Sequence, residues 1–96
     1  KEIELIIDEA PGVQESAVIG VPHPDFGEAV MAVIVARPGV APDLDALQAS
    51  LKKQLANFKV PKKIVQIDEL PRNTMGKVQK NMLRQTYADT FTVSQQ

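Results

Sequence analysis

The segment Pro71-Arg72-Asn73-Thr74-Met75-Gly76-Lys77 holds the residue types best suited to chemistry in this chain. Glycine lets a backbone turn tightly, and a lysine directly after it projects a full positive charge from the turn. If a helix starts there, its backbone N–H groups point outward and the pair makes an anion site. The segment is not a Walker A loop, which needs a second glycine and a hydroxyl residue where this chain has Val78. Taken alone, Gly-Lys in a loop also reads as an ordinary turn with a surface lysine. The rest of the chain narrows the field further. There is no cysteine, so no thiolate nucleophile and no cysteine-built zinc site. The single histidine, His23, lies between two prolines and reads as a turn residue, too little for a histidine metal centre or a Ser-His-Asp triad. Asp25 and Glu28 read as hairpin or surface residues, and no metal ligands are expected.

The elements that must position Lys77 follow from length and patterning. Ninety-six residues make one small domain, and 44% hydrophobic with 24% charged residues is a globular composition. Ile3, Ile6, Ile7 and Ala10 give a first helix one apolar face, ended by Pro11-Gly12. No cap precedes Lys1, so the chain is expected to be cut from something larger. Ser16–Val21 and Ala29–Ala36 read as strands joined by the turn formers from Pro22 to Gly27. The second run is apolar almost throughout, which fits a central strand covered on both faces. Asp43 caps a helix whose apolar side is Leu44, Leu47, Leu51 and Leu55, with Lys52 and Lys53 complementing its dipole. Lys62–Leu70 reads as a third strand ending at Pro71. A last helix follows the glycine, with Lys77, Lys80 and Arg84 as a basic stripe and Val78, Met82, Leu83 and Tyr87 as its apolar contacts. The tail after Phe91 is polar and expected to fray. The expected fold is α+β: a small sheet of about three main strands packed by helices, in the order α-β-β-α-β-α. No signal peptide is read, and the expected location is cytoplasmic.

The formal net charge of −1 conceals a division. Residues 1–51 carry nine acids against two bases, whereas residues 52–84 carry nine bases against Asp68 and Glu69. A basic block of this kind faces an anionic partner or is simply solvated.

Three stretches together carry a resemblance: Leu55-Ala56-Asn57-Phe58-Lys59-Val60-Pro61, Ile67-Asp68-Glu69-Leu70-Pro71-Arg72-Asn73, and Gly76-Lys77-Val78-Gln79-Lys80 with Leu83-Arg84. They resemble the C-terminal subdomain of the acyl-adenylate-forming enzymes, the acyl-CoA synthetase and firefly luciferase superfamily. Lys1-Glu2-Ile3-Glu4 is similar to the helix after that superfamily's interdomain hinge. Ala17-Val18-Ile19-Gly20 and Gly27-Glu28 match the subdomain's hairpin. Within the superfamily, Glu69–Lys80 is most similar to malonyl-CoA synthetases. Residues 1–96 are thus expected to be one C-terminal subdomain, a fragment of a larger ligase.

The resemblance implies an activity shared with an N-terminal adenylation domain. A carboxylate, malonate by the narrower likeness, is activated by ATP and Mg2+ to an acyl-adenylate. The small domain then rotates, and CoA takes the acyl group as a thioester. Lys77 matches the catalytic lysine of the first step; Gly76, Asn73, Thr74 and Arg72 match the loop that positions it. Neither ATP, Mg2+ nor CoA is expected to bind this domain alone, which is expected to be inactive. Pro71, Gly76 and Lys77 also match the P-x4-G-K pattern of lysine acetylation, implying an acetyltransferase and a deacetylase as partners. Lys80 and Arg84 either dock that transferase or form a solvated stripe. Lys52, Lys53, Lys59, Lys62 and Lys63 could meet CoA phosphates, though no motif marks any of them. Two rival readings remain: a nucleic-acid-binding domain using the basic block, and a freestanding interaction module. The first lacks an aromatic platform and a G-x-x-G loop, at 4% aromatic residues; neither nucleic acid nor membrane is an expected partner.

Overall fold

The structure, a computed structural model, describes residues 2–92. An uninterrupted apolar run from Ala29 to Ala36 is stable as a strand only if both its faces are covered. That run falls in β2 (Gly27–Ala36), the middle strand of a three-stranded sheet ordered β1-β2-β3. β1 (Val13–His23) pairs with it antiparallel through a hairpin, and β3 (Lys63–Ile67) pairs with it parallel. A parallel neighbour requires a crossover, which α2 (Leu44–Gln54) and a 3-10 turn at Asn57–Lys59 provide. With α1 (Glu2–Asp8) and α3 (Lys80–Thr86), the order is α-β-β-α-β-α, an α+β fold as expected.

Two separate apolar clusters lie on the two faces of the sheet. On one face, Ile7 of α1 and Leu47 and Leu51 of α2 pack with Val13, Ala32 and Ile34. On the other, Leu70 and Leu83 pack with Ala17, Ile19, Val21, Met31, Val33 and Val35. Asp43 caps α2 as its position predicts, its carboxylate accepting from the Ala46 N–H at 3.0 Å. Of the expected contacts of α3, Val78, Leu83 and Tyr87 join the second cluster, whereas Met82 is half exposed.

One bulge decides which face of the sheet Val13 takes. Val13 pairs with Ala36 and Glu15 with Val35, so Gln14 is an extra residue in the ladder. The insertion breaks the two-residue alternation. Val13 therefore lies in the first cluster, while Ala17, Ile19 and Val21 lie in the second. Glu15 stands opposite Val35, on the second face.

The outer edge of β1 is closed by a side chain. The Val18 N–H donates to the Glu4 carboxylate of α1 at 2.6 Å, and Lys80 Nζ, at the start of α3, reaches the same Oε2 at 2.6 Å. One carboxylate thus ties α1, β1 and α3 together and satisfies an edge donor.

Several boundaries differ from expectation. β1 includes Pro22 and His23, so the turn shrinks to Pro24-Asp25-Phe26 and His23 ends a strand rather than lying in the loop. Its ring stacks on Phe26 at 4.4 Å, and its Nδ1 accepts the Asp25 N–H at 3.0 Å. β3 covers only part of 62–70. α3 begins at Lys80, not beside Gly76. The uncapped start at Lys1 and the tail beyond Thr92 lie outside the described residues, where nothing bears on those expectations. Among the described residues no helix is long and apolar enough to cross a membrane.

The Glu4 contacts carry a pH dependence. Burial works to raise its pKa, but the Lys80 hydrogen bond, the Val18 N–H and the Lys80 charge outweigh burial and hold the carboxyl below its ordinary value. A folded-state pKa below the unfolded one contributes stability above the unfolded value, lost as pH falls through the folded one. Acidification below about pH 4.3, the unperturbed glutamate value, should therefore lower the urea midpoint of this chain. Glu4→Gln should be less stable at neutral pH and lose less on acidification; parallel pH curves would contradict the assignment.

Candidate active site

Residues 71–79 form a small hairpin between β3 and α3. Its stem is anchored by Leu70, which is buried, and Val78, which packs beside it in the second cluster. Arg72 and Val78 pair as an isolated antiparallel bridge, and the Gln79 N–H donates to Pro71 O at 2.8 Å. The Gly76 N–H closes the tip onto Asn73 O at 3.0 Å, while the Asn73 N–H donates to Lys77 O at 3.0 Å. Gly76 has φ +82°, a left-handed conformation that side-chain-bearing residues rarely adopt. The position needs glycine for its backbone, since a Cβ there would meet nothing within 4 Å.

Two side chains finish the loop from within. Asn73 Oδ1 accepts from both the Met75 N–H at 2.9 Å and the Lys77 N–H at 3.0 Å. Arg72 Nη1 donates to Gly76 O at 2.8 Å, and Arg72 Nη2 pairs with Glu15 of β1. Both polar atoms of the Gly76–Lys77 peptide are therefore bound, the carbonyl by Arg72 and the N–H by Asn73. Gln79 Nε2 adds a bond to Lys77 O at 3.0 Å. The backbone of Lys77 is clamped on every side, yet its side chain is exposed and makes no ion pair among the described residues.

This geometry corrects the idea of a helix-start anion site. Lys77 lies three residues before α3, and the N–H groups of Asn73, Met75, Gly76 and Lys77 are consumed inside the loop. What the loop offers a ligand is the Lys77 ammonium. Arg72 and Asn73 satisfy backbone groups; Thr74 is exposed and its hydroxyl bonds to nothing among the described residues. Met75, 89% exposed, stands at the tip without packing.

The basic stripe is also broken. Lys77 is off the helix, and Lys80 pairs with Glu4 of α1 at 2.6 Å while staying partly exposed. Arg84 remains on α3 without an ion pair among the described residues. Elsewhere, Lys59 binds Glu2 at 2.8 Å and Lys62 lies 4.9 Å from the centre of the exposed Phe26 ring. Among the described residues no three His, Cys, Asp or Glu side chains converge as metal ligands. The partner that sequence reasoning missed is Glu15, which lies 57 residues from Arg72 and carries no motif.

The chain is similar in sequence and fold to known proteins. The family model of the AMP-binding enzyme C-terminal domain matches residues 2–77. A methyl-dioxo-octahydroindenyl-propanoyl:CoA ligase of Rhodococcus jostii is 50% identical over 84 residues, covering 88% of this chain and 16% of that protein. The 4-chlorobenzoate–CoA ligase of a Pseudomonas species is 40% identical over 94 residues, covering 97% of this chain and 18% of that protein. Among solved structures, ATP-bound MatB from Rhodopseudomonas palustris superposes with a TM-score of 0.91 at 59% identity, covering 94% of this chain and 18% of that one. The chain thus spans less than a fifth of the length of these relatives. By its matched residues and its fold, the chain belongs to the AMP-binding enzyme C-terminal domain family.

Proposed function

We propose that this domain works within an ATP-dependent acyl-CoA ligase and that Lys77 supplies the mobile cation for carboxylate adenylation. The observation that carries the proposal is the clamped Gly76–Lys77 peptide with its exposed ammonium. In adenylation, a carboxylate oxygen attacks the α-phosphorus of ATP and the bond to pyrophosphate breaks. Both reactants are anions. An ammonium between them offsets their repulsion, since one charge pair at 4 Å is worth about 4 kcal/mol at an effective dielectric near 20. A fixed loop backbone aims that charge without reorganisation at the moment of reaction. Magnesium, when bound with ATP, would neutralise phosphate charge; its ligands are assigned to the N-terminal domain, as is the carboxylate pocket. The domain alone is accordingly inactive.

Thioester formation has different needs. The CoA sulfur attacks the acyl carbon and AMP leaves, so a thiol must enter where the ammonium stood. A domain that swings away removes the lysine and opens that space. Malonate is the substrate proposed, supported by the likeness of Glu69–Lys80 to malonyl-CoA synthetases.

Lys77 is also the proposed acetylation site, since it is exposed and completes the Pro71-x4-Gly76-Lys77 pattern. Acetylation removes the charge and with it the first half-reaction, reversibly if a deacetylase restores it. Lys80 and Arg84 are the candidates for docking the transferase.

In the full-length enzyme, Lys77→Ala should slow ATP–pyrophosphate exchange by about 100- to 1000-fold while sparing thioester formation from supplied acyl-adenylate. Equal loss of both half-reactions would contradict the assignment. After incubation with acetyl-CoA and a protein acetyltransferase, mass spectrometry should find the new mass on Lys77; modification elsewhere with Lys77 untouched would refute the regulatory proposal.

A further inference from the structure

The internal bonds of the 71–79 hairpin fix its shape but not its direction relative to the sheet. Its tip is exposed from Arg72 to Lys77, and its apolar anchor is confined to Leu70 and Val78 at the stem. Among the described residues, one side-chain bond runs from this tip to the sheet: the Arg72 guanidinium pairs with Glu15 of β1. The same guanidinium, through Nη1, holds the carbonyl of Gly76. A planar fork cannot rotate one nitrogen without moving the other. The position of Glu15 is thus relayed through Arg72 to the peptide that carries Lys77.

The sheet is built to make this contact. Glu15 alternates in phase with Ala17, Ile19 and Val21, which puts it on the face of Val35, Leu70 and α3, where the hairpin stands. The bulge at Gln14 leaves that phase intact and turns only Val13 to the face of α1 and α2. The pair is also poorly suited to a purely stabilising role. Side-chain exposures of 41% for Arg72 and 28% for Glu15 leave it screened by water, and such pairs add little to folding.

We infer that Glu15 is a positioning residue for adenylation, orienting the Lys77 loop through Arg72. The inference rests on the proposed role of Lys77. In the full-length enzyme, Glu15→Ala should lower kcat for ATP–pyrophosphate exchange by about 10- to 100-fold, the scale of a small misplacement of a reacting group. KM for ATP and for the acid should stay unchanged, because Glu15 touches neither. Thioester formation from supplied acyl-adenylate should be unaffected, and Glu15→Gln, which keeps an acceptor for Arg72, should lose less. In a Lys77→Ala background, Glu15→Ala should cause no additional loss, since the group it positions is gone. Melting temperatures should stay within about 2 °C of the wild type, as for other exposed substitutions.

If Lys77→Ala abolishes exchange but both Glu15 variants leave it intact, the inference fails and the role of Lys77 stands. An additional loss from Glu15→Ala in the Lys77→Ala background would also overturn it. Should Lys77→Ala leave exchange intact, the role of Lys77 fails and the inference falls with it.

Discussion

The proposed function of this domain depends on a single peptide group held at both ends. The Gly76 carbonyl is bound by Arg72 and the Lys77 N–H by Asn73, at 2.8 and 3.0 Å. A loop in water ordinarily leaves such groups to solvent and samples many conformations. Here the polar atoms are satisfied inside the hairpin, so the backbone is ordered while the ammonium remains available. Order and exposure are usually opposed; this loop separates them, giving order to the main chain and exposure to the side chain.

The remainder of the domain supports that loop. A three-stranded sheet covered on both faces gives the hairpin a rigid base, and Leu70 and Val78 fasten the stem to one of those faces. Alternation in phase with Ala17, Ile19 and Val21 puts Glu15 on the same side. Glu4 joins α1, β1 and the start of α3 through one carboxylate. α1 follows the position where the resemblance places the interdomain hinge, so that carboxylate links the hinge side of the domain to the helix after the Lys77 hairpin. The proposed swing of the small domain as a body needs such ties, because strain at one end must move the other end with it.

Much of this was legible in the sequence. The unbroken apolar run from Ala29 to Ala36 identified the central strand, and Asp43 marked the start of α2. Proline and glycine at positions 71 and 76 marked a loop, and the surrounding residues carried the family likeness. What was not legible lay in register and in tertiary pairing. The helical spacing of Lys77, Lys80 and Arg84 suggested one stripe, but the hairpin's ladder holds Lys77 off the helix. Lys80 read as a surface charge because its partner, Glu4, lies on a helix 76 residues away. Glu15 had no motif; alternation with Ala17, Ile19 and Val21 gives its face, but nothing local gives its pairing with Arg72. The amides that an outward-facing anion site would need were claimed by Asn73, a residue whose side chain mimics a turn.

Amide hydrogen exchange of the 71–79 hairpin, followed by NMR on this chain, tests the clamp most directly. The Met75 and Lys77 amides should exchange much more slowly than that of Thr74, and Asn73→Ala should remove their protection while leaving β2 unchanged. Met75 and Lys77 amides that exchange as fast as Thr74 in the wild type would show that the peptide is not held, and the account would be wrong at its foundation.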